Sequence, residues 1–269
     1  MTDADNKRLF LGMEIAAPWP DELPAGRALL PPDRHLTLAF LGEAPVANAK
    51  SSLDDLPKPP FSIGLAGYFD RVVFLPKQKP NVAAWRIHWL EQEESFSIFQ
   101  KELIDWAKDH FTGVRFREDA FLPHVTVARS PVNLGDWKHA FQPLPLFAWN
   151  LHLYESLGSS RYQICWTHPM LAPFEETEHT ADLAFIVRGS TLSQVSLHAQ
   201  LALSFHDPAL LKYFSSETVS DIDAIVRQLN GLIYRADQQE GSCFKAVSYH
   251  GQLRESQTGV LEWEMIVDV

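Results

Sequence analysis

The sequence predicts an α+β chain in two domains. Strand-like apolar runs outnumber the one strongly amphipathic helix, and charge is spread unevenly along the chain. At 269 residues the chain exceeds the roughly 100–200 residues of one ordinary domain, and a hydrophobic share of 46% supplies side chains for two cores. Up to Leu171 there are 17 Lys and Arg against 20 Asp and Glu, whereas from Ala172 onward there are 6 against 14. The tail is therefore expected to be a separate domain, with residues 1–169 forming the first domain and 173–269 the second.

Strands are expected at Leu9–Ile15, His35–Leu41, Phe61–Tyr68, Arg71–Leu75, Ala83–Trp89, His124–Arg129, Phe147–Tyr154 and Tyr162–Trp166, with alternation clearest around the two histidines. Between Glu91 and Phe111 the apolar residues Phe96, Phe99, Leu103, Ile104, Ala107 and Phe111 recur at three- and four-residue steps, which draws one stripe on a helix. The proline-rich stretches 54–60 and 76–80 read as loops, since proline neither donates to a ladder nor continues a helix. Residues 168–174 read as the linker. Beyond it come a strand at Leu183–Arg188, a turn at Gly189-Ser190, helices at 192–205 and 222–234, and closing strands at Phe244–His250 and Val260–Val269.

Composition narrows the function classes. A surface as acidic as the tail repels a phosphate backbone, so RNA handling falls to the first domain, and DNA binding is not expected. No run of about 18 apolar residues appears, and the N-terminus is charged, so the reading is a soluble cytoplasmic protein with no membrane partner. Cys165 and Cys243 lie far apart and match no metal-finger spacing; they read as reduced core residues.

One tripeptide recurs, as His35-Leu-Thr-Leu and His124-Val-Thr-Val. On a strand, residues two apart share a face, so each histidine and its threonine, Thr37 or Thr126, look to one side while Leu36, Leu38, Val125 and Val127 pack the other. A single such tripeptide reads as a structural histidine. Two in matching contexts suit in-line opening of a cyclic phosphodiester. One imidazole takes a proton from water, the other protonates the departing ribose oxygen, and the hydroxyls donate to phosphoryl oxygens. That chemistry asks for no metal. His88, His110, His139, His152 and His168 have no matching partners in sequence, and Trp85, Trp89 and Phe121 read as core before they read as base-stacking residues.

The doubled motif resembles the 2H phosphoesterase superfamily, in its LigT-like RNA 2′,3′-cyclic phosphodiesterase branch, over about residues 8–168. Also similar are Arg8-Leu-Phe-Leu-Gly-Met-Glu-Ile, Phe40-Leu-Gly, the Pro123 and Arg129 framing the second motif, and Trp85-Arg-Ile-His-Trp. The resemblance implies two pseudo-symmetric α+β lobes sharing a groove, with His35 and His124 catalytic and Thr37, Thr126 and Arg129 binding the phosphate of an RNA end. On this reading His124 is assigned as base and His35 as acid, without a cofactor. The segment 17–34 is shorter than is usual in that family and rich in proline.

The tail offers carboxylates near its start and at its end, which invite a hard cation such as Ca²⁺ or Mg²⁺. Its segments Phe174 to Phe185, Lys245-Ala-Val-Ser-Tyr-His and Ile266-Val-Asp-Val resemble the archease family in a shortened form, a strand-helix-strand-strand core. That resemblance implies a metal site at Asp182 and Asp268 with the carbonyl of Val269, a functional Lys245, and an RtcB-type RNA ligase as partner. Two functions follow as alternatives. One is an enzyme that opens cyclic phosphate ends to 2′-phosphomonoesters within RNA repair or tRNA splicing. The other is a non-enzymatic ligase activator whose first domain only grips RNA ends.

Overall fold

The computed structural model describes residues 6–112, 121–179, 182–248 and 251–269. The chain divides into two compact units, one of residues up to 142 together with 148–171, the other of 143–147 together with 172–269. Helices and strands are mixed in both. No helix among the described residues is long and apolar enough to cross a membrane.

The first unit and the strand leading out of it comprise β1 (Asn6–Ala16), β2 (Arg27–Ala28), β3 (His35–Pro45), α1 (Val46–Ser51), β4 (Leu65–Leu75), β5 (Val82–Trp89), α2 (Glu93–His110), β6 (His124–Arg129), α3 (Leu134–Ala140), β7 (Leu144–Gly158) and β8 (Arg161–His168). The strands form one sheet in the order β1-β3-β6-β5-β4-β7-β8, with β2 on β6 and a further pairing of β7 with β1. The runs at Phe61–Tyr68 and Arg71–Leu75, expected as two strands, are one strand. A register shift between Phe69 and Arg71 absorbs Asp70, which turns its carboxylate to Arg86 on β5. An extra residue in a ladder re-aims side chains in this way without ending the strand.

Helix α2 follows its apolar stripe with one exchange. Phe96, Phe99, Leu103, Trp106 and Ala107 are buried, while Ile104 is only partly covered. Glu93 and Glu94 open the helix and Lys108 and His110 close it, matching the macrodipole. One polar residue, Gln100, is buried in the stripe, and its Nε2 donates to the Leu38 carbonyl on β3 at 3.1 Å.

The second unit adds β9 (Phe174–Thr177), β10 (Leu183–Gly189), α4 (Leu192–His206), a 3₁₀ turn at Pro208–Tyr213, α5 (Ile222–Glu240), β11 (Ala246–Ser248), β12 (Arg254–Glu255) and β13 (Leu261–Asp268). Its sheet runs β11-β13-β10-β9, with β12 on β13. The acidic run at 175–178 begins as an edge strand. Glu175 and Glu176 stay exposed there and reach Arg188 at 2.6 Å and His206 at 3.0 Å. Gly189 is required by the β10–α4 turn, since a Cβ there would lie 2.6 Å from the Val195 nitrogen. Thr191 and Asp221 cap α4 and α5 by accepting from Gln194 N and Ala224 N. The strand expected at Phe244–His250 is shorter, and residues 249–250 lie outside the described residues.

Candidate active site

The two His-x-Thr strands are neighbours. β3 and β6 pair antiparallel through Leu36 and Val125, both fully buried. Carried one residue either way, that register sets His35 across from Thr126 and Thr37 across from His124. The burial pattern agrees with one shared face, because His35, Thr37, His124 and Thr126 are each partly buried while Leu36, Leu38, Val125 and Val127 are buried.

The motifs also share an irregularity that their sequences do not announce. Against β1, Gly12 faces Thr37 and Leu11 faces Ala39, so Leu38 is an extra residue; against β5, Ala84 faces Thr126 and Ala83 faces Ala128, so Val127 is extra. A bulge therefore follows each threonine. It reverses the alternation beyond that point. Phe40 faces Phe10, two residues from Gly12 on β1, and Arg129 faces Val82, two residues from Ala84 on β5. The fifth residue after each histidine thus returns to the histidine face. Strict period-two alternation would have sent Arg129 to the opposite side. The bulge frees a carbonyl at Leu38, and Gln100 of α2 satisfies it.

Both imidazoles are anchored alike. His35 Nδ1 lies 2.9 Å from the carbonyl of Asp33, and His124 Nδ1 lies 2.7 Å from the carbonyl of Leu122, in each case two residues upstream. A carbonyl only accepts, so Nδ1 carries the hydrogen, and in the neutral ring Nε2 keeps the lone pair. The two rings thus have the same tautomer and the same tether.

Their surroundings differ. His35 sits among Phe10, Tyr154 and Tyr162, with ring centroids at 4.8, 5.1 and 4.6 Å. Burial pushes its pKa from 6.5 down to about 4, partly opposed by the Asp33 carbonyl, and the charges of His124 and Arg129 push the same way. Asp33 serves this box twice, since its carboxylate accepts from the Tyr162 backbone N–H at 3.1 Å. Across from His35 stands Glu14, held below its ordinary carboxyl pKa chiefly by hydrogen bonding to His152 and, after opposition from burial, by Asn150. Across from His124 stands Arg86, whose Nε donates to Asp70 at 2.9 Å. Arg129 is steadied by Ser160, whose Oγ accepts from its Nε at 2.8 Å.

His35, His124, Thr37, Thr126 and Arg129 are therefore brought to one face. The other candidates went elsewhere. His110 bonds the Trp106 carbonyl and Asp55, and His152 is a buried partner of Thr167 and Glu14. Trp85 and Trp89 are core residues at 4% and 5% exposure, while Phe121 is exposed. Glu14, Asp33, Tyr154, Tyr162 and Arg86 were missed by sequence reasoning. Glu14, Tyr154, Tyr162 and Arg86 enter through long-range pairings or ring contacts that no local pattern encodes, and Asp33 enters through its backbone carbonyl, which carries no residue-type signal.

In the second unit, Leu183 pairs with Val267, so the same register carried one residue sets Asp182 across from Asp268. Asp268 Oδ1 accepts from Ser248 Oγ at 3.0 Å, and the Val269 oxygen expected to ligate a cation instead accepts from Lys245 Nζ at 2.6 Å. His179 lies 3.8 Å from Asp182. Among the described residues no group of three or more His, Cys, Asp or Glu side chains forms a metal-holding set.

No protein-family model and no curated protein matches the chain. Its neighbours among solved structures are LigT and phosphoesterase structures. LigT of E. coli complexed with 3′-AMP is similar over 61% of this chain and 98% of its own, at 20% identity and a TM-score of 0.44. A structure described as a phosphoesterase matches over 61% and 99%, at 21% identity and 0.44. A protein of Thermus thermophilus matches over 61% and 98%, at 17% identity and 0.43.

Proposed function

We propose that the first unit hydrolyses 2′,3′-cyclic phosphates at RNA ends to 2′-phosphomonoesters by two-histidine acid–base catalysis. The observation that carries the reading is the matched pair of imidazoles on one face, each with Nδ1 tied to the carbonyl two residues upstream and Nε2 left as the proton-handling nitrogen. In the reaction, water attacks phosphorus as one Nε2 takes its proton. The bond from phosphorus to the ribose 3′ oxygen breaks, and the other imidazolium gives that oxygen its proton. Thr37, Thr126 and Arg129 hold the phosphoryl oxygens as charge shifts onto them.

Burial favours the neutral form of His35, which suits it to be the base, and leaves the acid role to His124. This assignment is the reverse of the one drawn from sequence. Proton transfer is all the two rings need supply, so turnover is expected to survive EDTA. The test is hydrolysis of a short RNA ending in a 2′,3′-cyclic phosphate, with EDTA present and the product end identified. His35→Ala and His124→Ala are each expected to lose about 10²–10⁴-fold in rate. Full activity in either variant sinks the mechanism.

A separate proposal concerns the second unit, as an archease-like module that binds Ca²⁺ or Mg²⁺ and serves an RNA ligase in repair or tRNA splicing in the cytoplasm. What supports it is the placing of Asp182 and Asp268 on neighbouring strand positions. Two carboxylates fall short of the six to eight oxygens that calcium takes, and the Lys245 ammonium holds the Val269 oxygen, so any ion there keeps most of its water. Calorimetric titration with CaCl₂ decides it: heat lost in Asp182→Asn and Asp268→Asn supports the site, and no heat with the wild type removes it. Should turnover prove absent while a ligase is stimulated, the non-enzymatic activator is the correct reading.

A further inference from the structure

β3 pairs with β6 at Leu36 and Val125, and further along β6 the two-residue strand β2 takes over that side. β2 comes from the short, proline-rich segment 17–34, where the sequence suggested no strand. Its register sets Ala28 across from Ala128 and Arg27 across from Arg129. Cross-strand partners share a face, so Arg27 stands beside Arg129 on the side to which the bulge returned it.

The backbone around Arg27 is pinned. The Ala25 carbonyl accepts from Trp137 Nε1 at 3.2 Å, the Leu29 N–H donates to the Val127 carbonyl at 2.9 Å, and the Leu29 carbonyl accepts from Arg34 Nε at 3.0 Å. A Cβ on Gly26 would lie 3.0 Å from the Pro131 carbonyl oxygen, so the chain runs close against the residues that follow β6. Position 27 is thus held on both sides, while Arg27 itself is exposed.

Like charges directly opposite each other on paired strands are destabilising. Among the described residues neither Arg27 nor Arg129 forms an ion pair with a carboxylate, and Ser160 engages Arg129 only through Nε. Stability does not account for placing the two guanidinium groups together. An anionic ligand does.

We propose that Arg27 binds the phosphodiester joining the terminal nucleotide to the rest of the RNA, one phosphate upstream of the cyclic phosphate held by Arg129. The proposal rests on the reading of this unit as a cyclic phosphodiesterase. Successive phosphates along a strand each carry one charge and two free oxygens, which neighbouring guanidinium forks match. Arg129 is partly buried and Arg27 is exposed one strand away, so Arg27 meets the chain where it leaves the groove. The site therefore selects RNA ends over free cyclic mononucleotides.

The experiment compares adenylyl-(3′→5′)-adenosine 2′,3′-cyclic phosphate with adenosine 2′,3′-cyclic phosphate, which lacks the upstream phosphodiester. The wild type is expected to favour the dinucleotide in kcat/KM by roughly tenfold, as one charge-assisted contact would give. In Arg27→Gln that preference falls toward unity, and Arg27→Lys keeps the greater part of it. The slope of log kcat/KM for the dinucleotide against log salt becomes shallower by about 0.7 in Arg27→Gln, which separates the charge contact from any contribution of the second base. Each ratio is taken within one protein, so a smaller folded fraction cancels. A preference unchanged in Arg27→Gln, including an equal loss on both substrates, overturns the proposal, as does a wild type without preference; the phosphodiesterase then still stands. Failure of the wild type to turn over either substrate takes down both.

Discussion

Lowering the pH should unfold the first unit in part through one side chain. His35 has an ordinary pKa of 6.5, and burial among Phe10, Tyr154 and Tyr162 brings it to about 4 in the folded protein. A folded pKa below the unfolded one means that the unfolded chain binds more protons between the two values. The folded state then holds its full advantage above about pH 6.5 and loses it as the pH falls toward 4. At about 1.4 kcal/mol for each unit of difference, the loss between pH 7 and pH 4.5 is about 2 kcal/mol. Seven of the eight tryptophans lie in the first unit, so urea unfolding followed by tryptophan fluorescence reads that unit. His35→Gln, which cannot protonate, should lose about 2 kcal/mol less than the wild type over this range. Equal losses would refute the claim that His35 is buried in its neutral form.

The same burial fixes a kinetic signature: the acid limb of kcat/KM should fall near pH 4, and Tyr162→Ser, which opens the aromatic box, should move that limb up toward 6.5. Arg129→Lys keeps the charge but loses the Nε bond to Ser160, and steady-state kinetics should show kcat/KM down roughly tenfold or more. Gly12→Ala would place a Cβ 2.8 Å from the Leu36 carbonyl and should cost about 1–3 kcal/mol in urea unfolding. Gln100→Leu leaves the Leu38 carbonyl of the bulge without its donor, with an expected loss of about 1–3 kcal/mol by the same assay.

The strands carrying the histidines were legible because alternation over three residues needs only local sterics. His124–Arg129 was read with its observed bounds, and the helix at 93–110 followed from its apolar stripe. What alternation could not show was the bulge after each threonine. An extra residue is defined by the strand opposite, so Arg129 could be proposed from sequence only by resemblance, and Phe40 was noted only as part of a motif. The box around His35 was equally hidden, since Phe10, Asp33, Tyr154 and Tyr162 come from four places in the chain. In the second unit the acidic run concealed β9, because exposed carboxylates on an edge strand look the same in sequence as a charged loop.

The pairing of Leu36 with Val125 makes the spacing of the two rings a property of the backbone. Each imidazole is fastened to a carbonyl of its own strand approach. Such a site tolerates remodelling on either flank and is intolerant of sliding. A slip of β3 by a single residue would turn His35 and Thr37 toward the interior together and present Leu36 and Leu38 in their place. Any retargeting of the groove has therefore to leave the seam between the two strands intact.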